Sequence, residues 1–181
     1  VDFVNGKNNI RFVNANFIIP MPKENSLLMS KKLSGGCMMD MGPYAAAIPR
    51  LFCSGKLIKM EKIIKKNKKG LIVSFSILCQ FKKTTYYGFF CFGGEYKSNL
   101  VFISKNKYVE LNRVFSPPPD KKLSIIFKKK GKICKRQLDK ESVLENFLKL
   151  VKNSLNKKKY KNFYQIALQD AKFRDKILLK D

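Results

Sequence analysis

Apolar and polar positions alternate in short runs through the first two thirds of the chain, and change to a three-and-four spacing near its end. Asn9 to Pro20 is rich in β-formers, with Ile10, Phe12 and Phe17 to Ile19, and halts at Pro20 and Pro22, so it predicts a strand running into a loop. Further strands are predicted over Lys56 to Lys65, Leu71 to Phe81, Thr84 to Phe92, Tyr96 to Ser104 and Lys107 to Phe115. The links Lys68-Lys69-Gly70, Lys82-Lys83, Gly93-Gly94 and Lys105-Asn106 have the length of hairpin turns. Consecutive strands then run antiparallel, because a parallel crossover needs about a dozen residues or more. Two more strands, Lys122 to Lys128 and Lys132 to Leu138, meet at a lysine-rich turn around Gly131. The pattern is a meander, and the doubly wound alternative is set aside.

Val143, Leu144, Phe147, Leu148, Val151 and Leu155 fall on one face of a helix. Asp139, Ser142 and Glu145 mark its start as a capping box. A second helix is expected from about Tyr160 to Leu179, carrying Phe163, Ile166, Ala167 and Ile177 on one side. Both stripes are expected to be core-facing. Gly35 to Phe52 is a third helical segment, interrupted by Pro43 and Pro49. The expected fold class is α+β: an open, predominantly antiparallel sheet of about six to eight strands with helices packed on one face. One domain is expected to span residues 1–181.

Composition narrows the chemistry. The chain has no His, which removes the Ser-His-Asp triad, the Cys-His pair and His-ligated zinc. Its 45% hydrophobic content supplies a core. The longest apolar runs, such as Leu71 to Phe81, are far shorter than the roughly 20 residues that span a bilayer. No basic and apolar leader shows at Val1, so either a leader has been removed or the chain is a fragment of a longer one. Cys37, Cys53, Cys79, Cys91 and Cys134 form no CxxC and sit mostly in apolar runs, which points to reduced, buried thiols in a cytoplasmic protein, with no disulfide framework and no metal site.

The net charge of +25 raises nucleic acid as a partner. The lysines, however, are spread from Lys7 to Lys180 among many Asn, Ile and Phe, and only five arginines are present. Arginine is the residue that clamps phosphate and reads guanine. A solvated basic surface is therefore the favoured reading, and nucleic acid the less favoured one.

The stretch with most chemical content is Gly35-Gly36-Cys37-Met38-Met39-Asp40-Met41-Gly42-Pro43-Tyr44. On a helix, Asp40 and Tyr44 share a face with Cβ atoms about 5–6 Å apart, close enough to hydrogen-bond one substrate. Pro43 requires that the helix either begin near Asp40 or bend there. Gly35 and Gly36 would allow a ligand close to the backbone, and a nearby helix N-terminus favours an anionic or hydroxyl-rich one. The same aspartate is also what a plain helix cap would use. Two further features are weaker. Arg113, before Pro117 to Pro119, is a candidate phosphate or sugar contact, and Tyr86 and Tyr87 must project to opposite faces of their strand.

The run Gly35 to Phe52 resembles the GGG-(two apolar)-D-x-G-x-(Y or H) signature at the start of the C-terminal domain of the Gfo/Idh/MocA oxidoreductases. The flanking strands and the long meander are similar too. Tyr87-Gly88-Phe89-Phe90, Gly93-Gly94-Glu95-Tyr96 and Arg113 to Pro119 look like the branch acting on sugars or nucleotide-linked sugars. The resemblance implies a two-domain enzyme whose N-terminal Rossmann domain, absent here, binds NAD or NADP. This chain alone would bind neither cofactor. Carried over by position, Asp40 would orient the reacting sugar and Tyr44 would exchange a proton at the carbon undergoing hydride transfer. Gly35, Gly36 and Arg113 would line the substrate. The family's Glu-Lys-Pro motif is missing, and Cys37 stands where the signature has its third glycine. A homodimer through the uncovered sheet face is expected, prompted by aromatics on both faces of Leu71 to Phe92. Two alternatives stay open: a non-catalytic assembly protein built on the same domain, and a basic nucleic-acid-binding module.

Overall fold

The structure, a computed structural model, describes residues 9–118, 121–129, 131–156 and 161–179. The eight strands are β1 (Ile10–Ile19), β2 (Leu57–Lys66), β3 (Ile72–Phe81), β4 (Thr85–Phe92), β5 (Lys97–Ser104), β6 (Lys107–Asn112), β7 (Ser124–Lys129) and β8 (Lys132–Gln137). Three helices accompany them: α1 (Cys37–Phe52), α2 (Val143–Asn156) and α3 (Lys161–Leu178). The strands form one open sheet in the order β2-β3-β4-β1-β5-β6-β7-β8. This is the expected α+β class, with most of the predicted boundaries met within two residues.

The topology departs from a plain meander in one place. β1 inserts between β4 and β5, parallel to the first and antiparallel to the second. The short link after β4 is therefore not a hairpin. It arches over the end of β1, where the N–H groups of Gly93 and Gly94 both donate to the Ile19 carbonyl. Stepping over one strand covers about 10 Å, within reach of a few extended residues. Link length fixes the relative direction of β4 and β5 but leaves their adjacency open.

Alternation along the central strands sorts the sheet into two faces. Val13, Ala15 and Phe17 of β1, Phe75, Ile77 and Cys79 of β3, and Tyr86, Phe90 and Phe92 of β4 are buried beneath α1. On the other face the register lines up Ser76, Phe89, Asn16, Asn99 and Asn112 across five strands. Asn16 donates there to Asn14 (2.7 Å) and to Asn99 (3.1 Å). Tyr86 and Tyr87 separate as the alternation requires, Tyr86 fully buried and Tyr87 on the second face.

α3 packs across α1. A Cβ on Gly42 would lie 3.2 Å from Arg174 Cδ, so the glycine permits the close crossing. Further along, Arg50 clamps Asp170 in two parallel hydrogen bonds of 2.7 and 2.9 Å. Ile177 is fully buried and Phe173 packs on the core, while Lys62 Nζ donates to the carbonyls of Lys176 and Leu179 at the end of α3.

α2 overturns the expectation for its stripe. Val143, Leu144, Phe147 and Leu148 are each more than half exposed, and no residue of the helix is buried. Its periodicity forms the helix without finding a core, because α1 already covers the central strands and α3 packs on α1. The first half of α3 is similar, with Phe163 and Ile166 each 38% exposed. Its expected first residue, Tyr160, lies outside the described residues.

Candidate functional site

α1 begins at Cys37, three residues before Asp40, so Pro43 and Pro49 both lie inside the helix. Neither proline can donate to the carbonyl four residues back. The sequence tolerates this because one face of α1 is buried on the sheet through Cys37, Met38, Met41, Ala45 and Ile48. That anchorage leaves Asp40 in the first turn and Tyr44 one turn on, both partly exposed along the flank of the buried face.

Tyr44 is held by aromatic packing. Its ring meets Phe17 of β1 edge-on, with centroids 5.5 Å apart at 83°, and lies 5.4 Å from Phe115. Phe115 in turn rests 5.2 Å from Phe17 and 6.5 Å from Phe90, which stacks on Phe75 at 4.9 Å. A column of rings thus runs from the core to the phenol. Phe115 reaches it because β6 ends at Asn112, earlier than the sequence suggests, and the chain turns at Arg113 with φ of 56°. Ser98 pins this corner, its carbonyl accepting from Arg113 N (2.5 Å) and its hydroxyl from Phe115 N (3.1 Å). Phe17, Phe115 and Ser98 are the site residues that sequence reasoning missed. Their local patterns mark them only as strand positions.

Burial raises the Asp40 carboxyl above its ordinary range. Tyr44 is raised by burial first and then by the neighbouring Asp40 charge. The phenol keeps its proton at neutral pH and has an O–H to offer as a hydrogen-bond donor.

The other candidates sit differently. A Cβ on Gly35 would lie 2.7–2.8 Å from the carbonyls of Leu27, Leu28 and Ser30, and one on Gly36, at φ of 108°, would lie 3.1 Å from the Ile72 carbonyl. The chain's own backbone fills the space that the two glycines leave, and carbonyl oxygens there do not fit a dinucleotide's phosphates. Cys37, at the third-glycine position, points inward, its Sγ 3.5 Å from Met41 Sδ. The Arg113 guanidinium lies 5.3 Å from the Tyr96 ring centre, and Phe115, two residues on, is what reaches Tyr44. Pro119, the last of the three prolines, lies outside the described residues. Cys134 is exposed and Cys91 half-buried, which corrects the expectation of burial for these two thiols. No helix among the described residues is long and apolar enough to cross a membrane.

No protein-family model and no curated protein matches the chain. Solved structures do. A 3-ketoreductase from Actinomadura kijaniata, KijD10, in complex with NADP and TDP-benzene, superposes with a TM-score of 0.86 at 18% identity, covering 96% of this chain and 55% of that one. The chain shares its fold with about half of that enzyme. An aldose-aldose oxidoreductase from Caulobacter crescentus shares this domain fold with a TM-score of 0.65 at 12% identity, over 78% of this chain and 44% of that one. UDP-N-acetylglucosamine 3-dehydrogenase GnnA from Acidithiobacillus ferrooxidans does so with 0.58 at 11% identity, over 82% and 47%. The chain spans about half the length of each.

Proposed function

We propose that this chain is the substrate-binding half of an NAD(P)-dependent oxidoreductase acting on a sugar or nucleotide-linked sugar, and is inactive without a dinucleotide-binding domain. The observation that carries the reading is the placement of Asp40 and Tyr44 one turn apart on α1, with the phenol braced by Phe17 and Phe115. The fold shared with three sugar oxidoreductases supports it. The cofactor, when bound on its own domain, supplies hydride. Tyr44 donates its proton to the carbonyl oxygen of the sugar carbon being reduced, and Asp40 accepts a hydrogen bond from an adjacent hydroxyl, fixing which carbon faces the hydride. Gly35 and Gly36 shape the turn that launches α1, and Arg113 is the candidate for a phosphate on the substrate.

The open sheet face, carrying Phe12, Ile18, Tyr87 and Phe89, is proposed to pair with a second copy. Five free cysteines, Cys134 exposed among them, support a reducing, cytoplasmic setting.

The test is a titration of TDP- and UDP-linked hexoses into the 181-residue chain, followed by NMR. Shifts concentrated around Tyr44 and Phe115, with affinity about tenfold weaker in Asp40→Asn, are expected. Sugar binding that Asp40→Asn and Tyr44→Phe leave untouched would overturn the reading.

A further inference from the structure

Pro43 and Pro49 stand inside α1, where the proposed chemistry has no use for them. A proline in a helix interior withholds an N–H from the carbonyl four residues back and crowds that carbonyl with its ring, so each is costly to keep. Pro43 withholds the donor from Met39, and Pro49 withholds it from Ala45. The two losses fall on different sides of the helix. Ala45 and Pro49 are buried, whereas Met39 is 49% exposed and Pro43 is exposed beside it.

Met39, Asp40, Pro43 and Tyr44 make up the exposed flank of the first two turns of α1. Helix carbonyls point along the axis toward the C-terminus, so the Met39 oxygen is directed at Pro43. That sets it at a level between Asp40 and Tyr44, which are about 6 Å apart along the axis. On the solvent side of a helix such a carbonyl tilts outward. A backbone carbonyl has two lone pairs and no proton, so it accepts from a hydroxyl and offers nothing to a phosphate. Two acceptors, the Met39 carbonyl and the Asp40 carboxylate, thus come from successive residues, with the Tyr44 phenol one turn beyond.

We propose that the Met39 carbonyl, released by Pro43, is a further substrate-binding group, accepting a hydrogen bond from a second hydroxyl of the sugar. The inference rests on the sugar-oxidoreductase reading and narrows its substrate class to sugars with free hydroxyls on two neighbouring carbons, one for Asp40 and one for Met39. A sugar lacking the second hydroxyl leaves the carbonyl unpaired and is the poorer ligand.

The experiment is an NMR titration of the 181-residue chain with TDP-glucose and UDP-glucose, each beside its counterparts lacking one hydroxyl. Isotopic labels are placed in methionine carbonyls and aspartate amides; Met39-Asp40 is the only Met-Asp step in the sequence, so its carbonyl is read alone. The hexose is expected to shift the Met39 carbonyl, and one deoxy counterpart to bind about fivefold more weakly without shifting it. Pro43→Ala returns an N–H to the helix. It is expected to raise the unfolding midpoint, to weaken the hexose about fivefold and to leave that deoxy counterpart's affinity unchanged. Selectivity lost while stability is gained is an outcome that a purely structural proline would not give. Pro43→Gly supplies the same N–H and should copy the selectivity loss with a smaller gain in stability. If Asp40→Asn and Tyr44→Phe weaken hexose binding while Pro43→Ala leaves it unchanged, the inference fails and the oxidoreductase reading stands. A Met39 carbonyl that shifts equally with the hexose and with every deoxy counterpart would overturn the inference as well. Absence of hexose binding, or binding that all of these variants leave untouched, would take down the reading and the inference together.

Discussion

Tyr44 and Tyr86 show how one residue type serves opposite ends of the molecule. Tyr44 projects from α1 with its ring packed on Phe17 and Phe115 and a third of its surface exposed. Tyr86 is fully buried, its hydroxyl lacks a hydrogen-bond partner among the described residues, and burial among the Cys79 and Cys53 thiols holds its pKa well above the usual phenol value. A buried hydroxyl without a partner costs about 1–3 kcal/mol. Tyr86→Phe is therefore expected to keep or raise stability by up to about 1 kcal/mol in urea unfolding, where most core tyrosines lose it. Asp40 gives a pH signature. Its carboxyl is raised in the fold, so just above the ordinary value of 3.8 the native state holds more of the proton than the unfolded chain does. Stability contributed at this group is greatest at low pH and falls as pH rises through that window. Asp40→Asn should remove this slope, leave the chain at least as stable at neutral pH, and still cost turnover.

At the scale of elements, the boundaries of most strands and helices were legible in the sequence, because alternation and three-and-four spacing are local signals. The placement of β1 was not. Its insertion between β4 and β5 is decided by pairing across more than seventy residues, which no local pattern records. The same limit explains the site. Asp40 and Tyr44 were legible through their spacing on one helix, whereas Phe17, Ser98 and Phe115 become neighbours of the site only when β1, β5 and the corner after β6 meet. Ser98→Ala, which removes the acceptor for Phe115 N, is expected to loosen Tyr44 more than it destabilises the fold, lowering kcat with a stability loss of about 1 kcal/mol. The α2 stripe was misread for a different reason: amphipathicity reports that a helix has an apolar face, not whether this chain supplies the surface to cover it. Gly35 belongs here as well. Its Cβ would meet three carbonyls of the turn before α1, so Gly35→Ala is expected to destabilise by about 1–3 kcal/mol, read as a lower midpoint in thermal unfolding.

Part of the molecule's positive charge lies along the edges of the sheet. Of the strands, β2 and β8 close the sheet, and both are lysine-rich, with Lys59, Lys62, Lys65 and Lys66 on one and Lys132 and Lys135 on the other. Edge lysines discourage further strand pairing, which gives part of the +25 a structural role and weakens the case for nucleic acid. The open face between these edges carries Phe12, Ile18, Tyr87 and Phe89, all half-buried, and sedimentation at rising concentration should show a dimer that Phe89→Lys disrupts. A strictly monomeric species at every concentration would refute that pairing. In the proposed reaction Asp40 and Tyr44 act on a sugar while hydride comes from a dinucleotide held elsewhere. The most direct measurement is NAD(P)H consumption by the native polypeptide with nucleotide-linked ketosugars, in wild type and in Tyr44→Phe. Turnover is expected, and Tyr44→Phe should lower it by about a hundredfold or more with the fold intact. Turnover equal in the two proteins would contradict the proposed reaction.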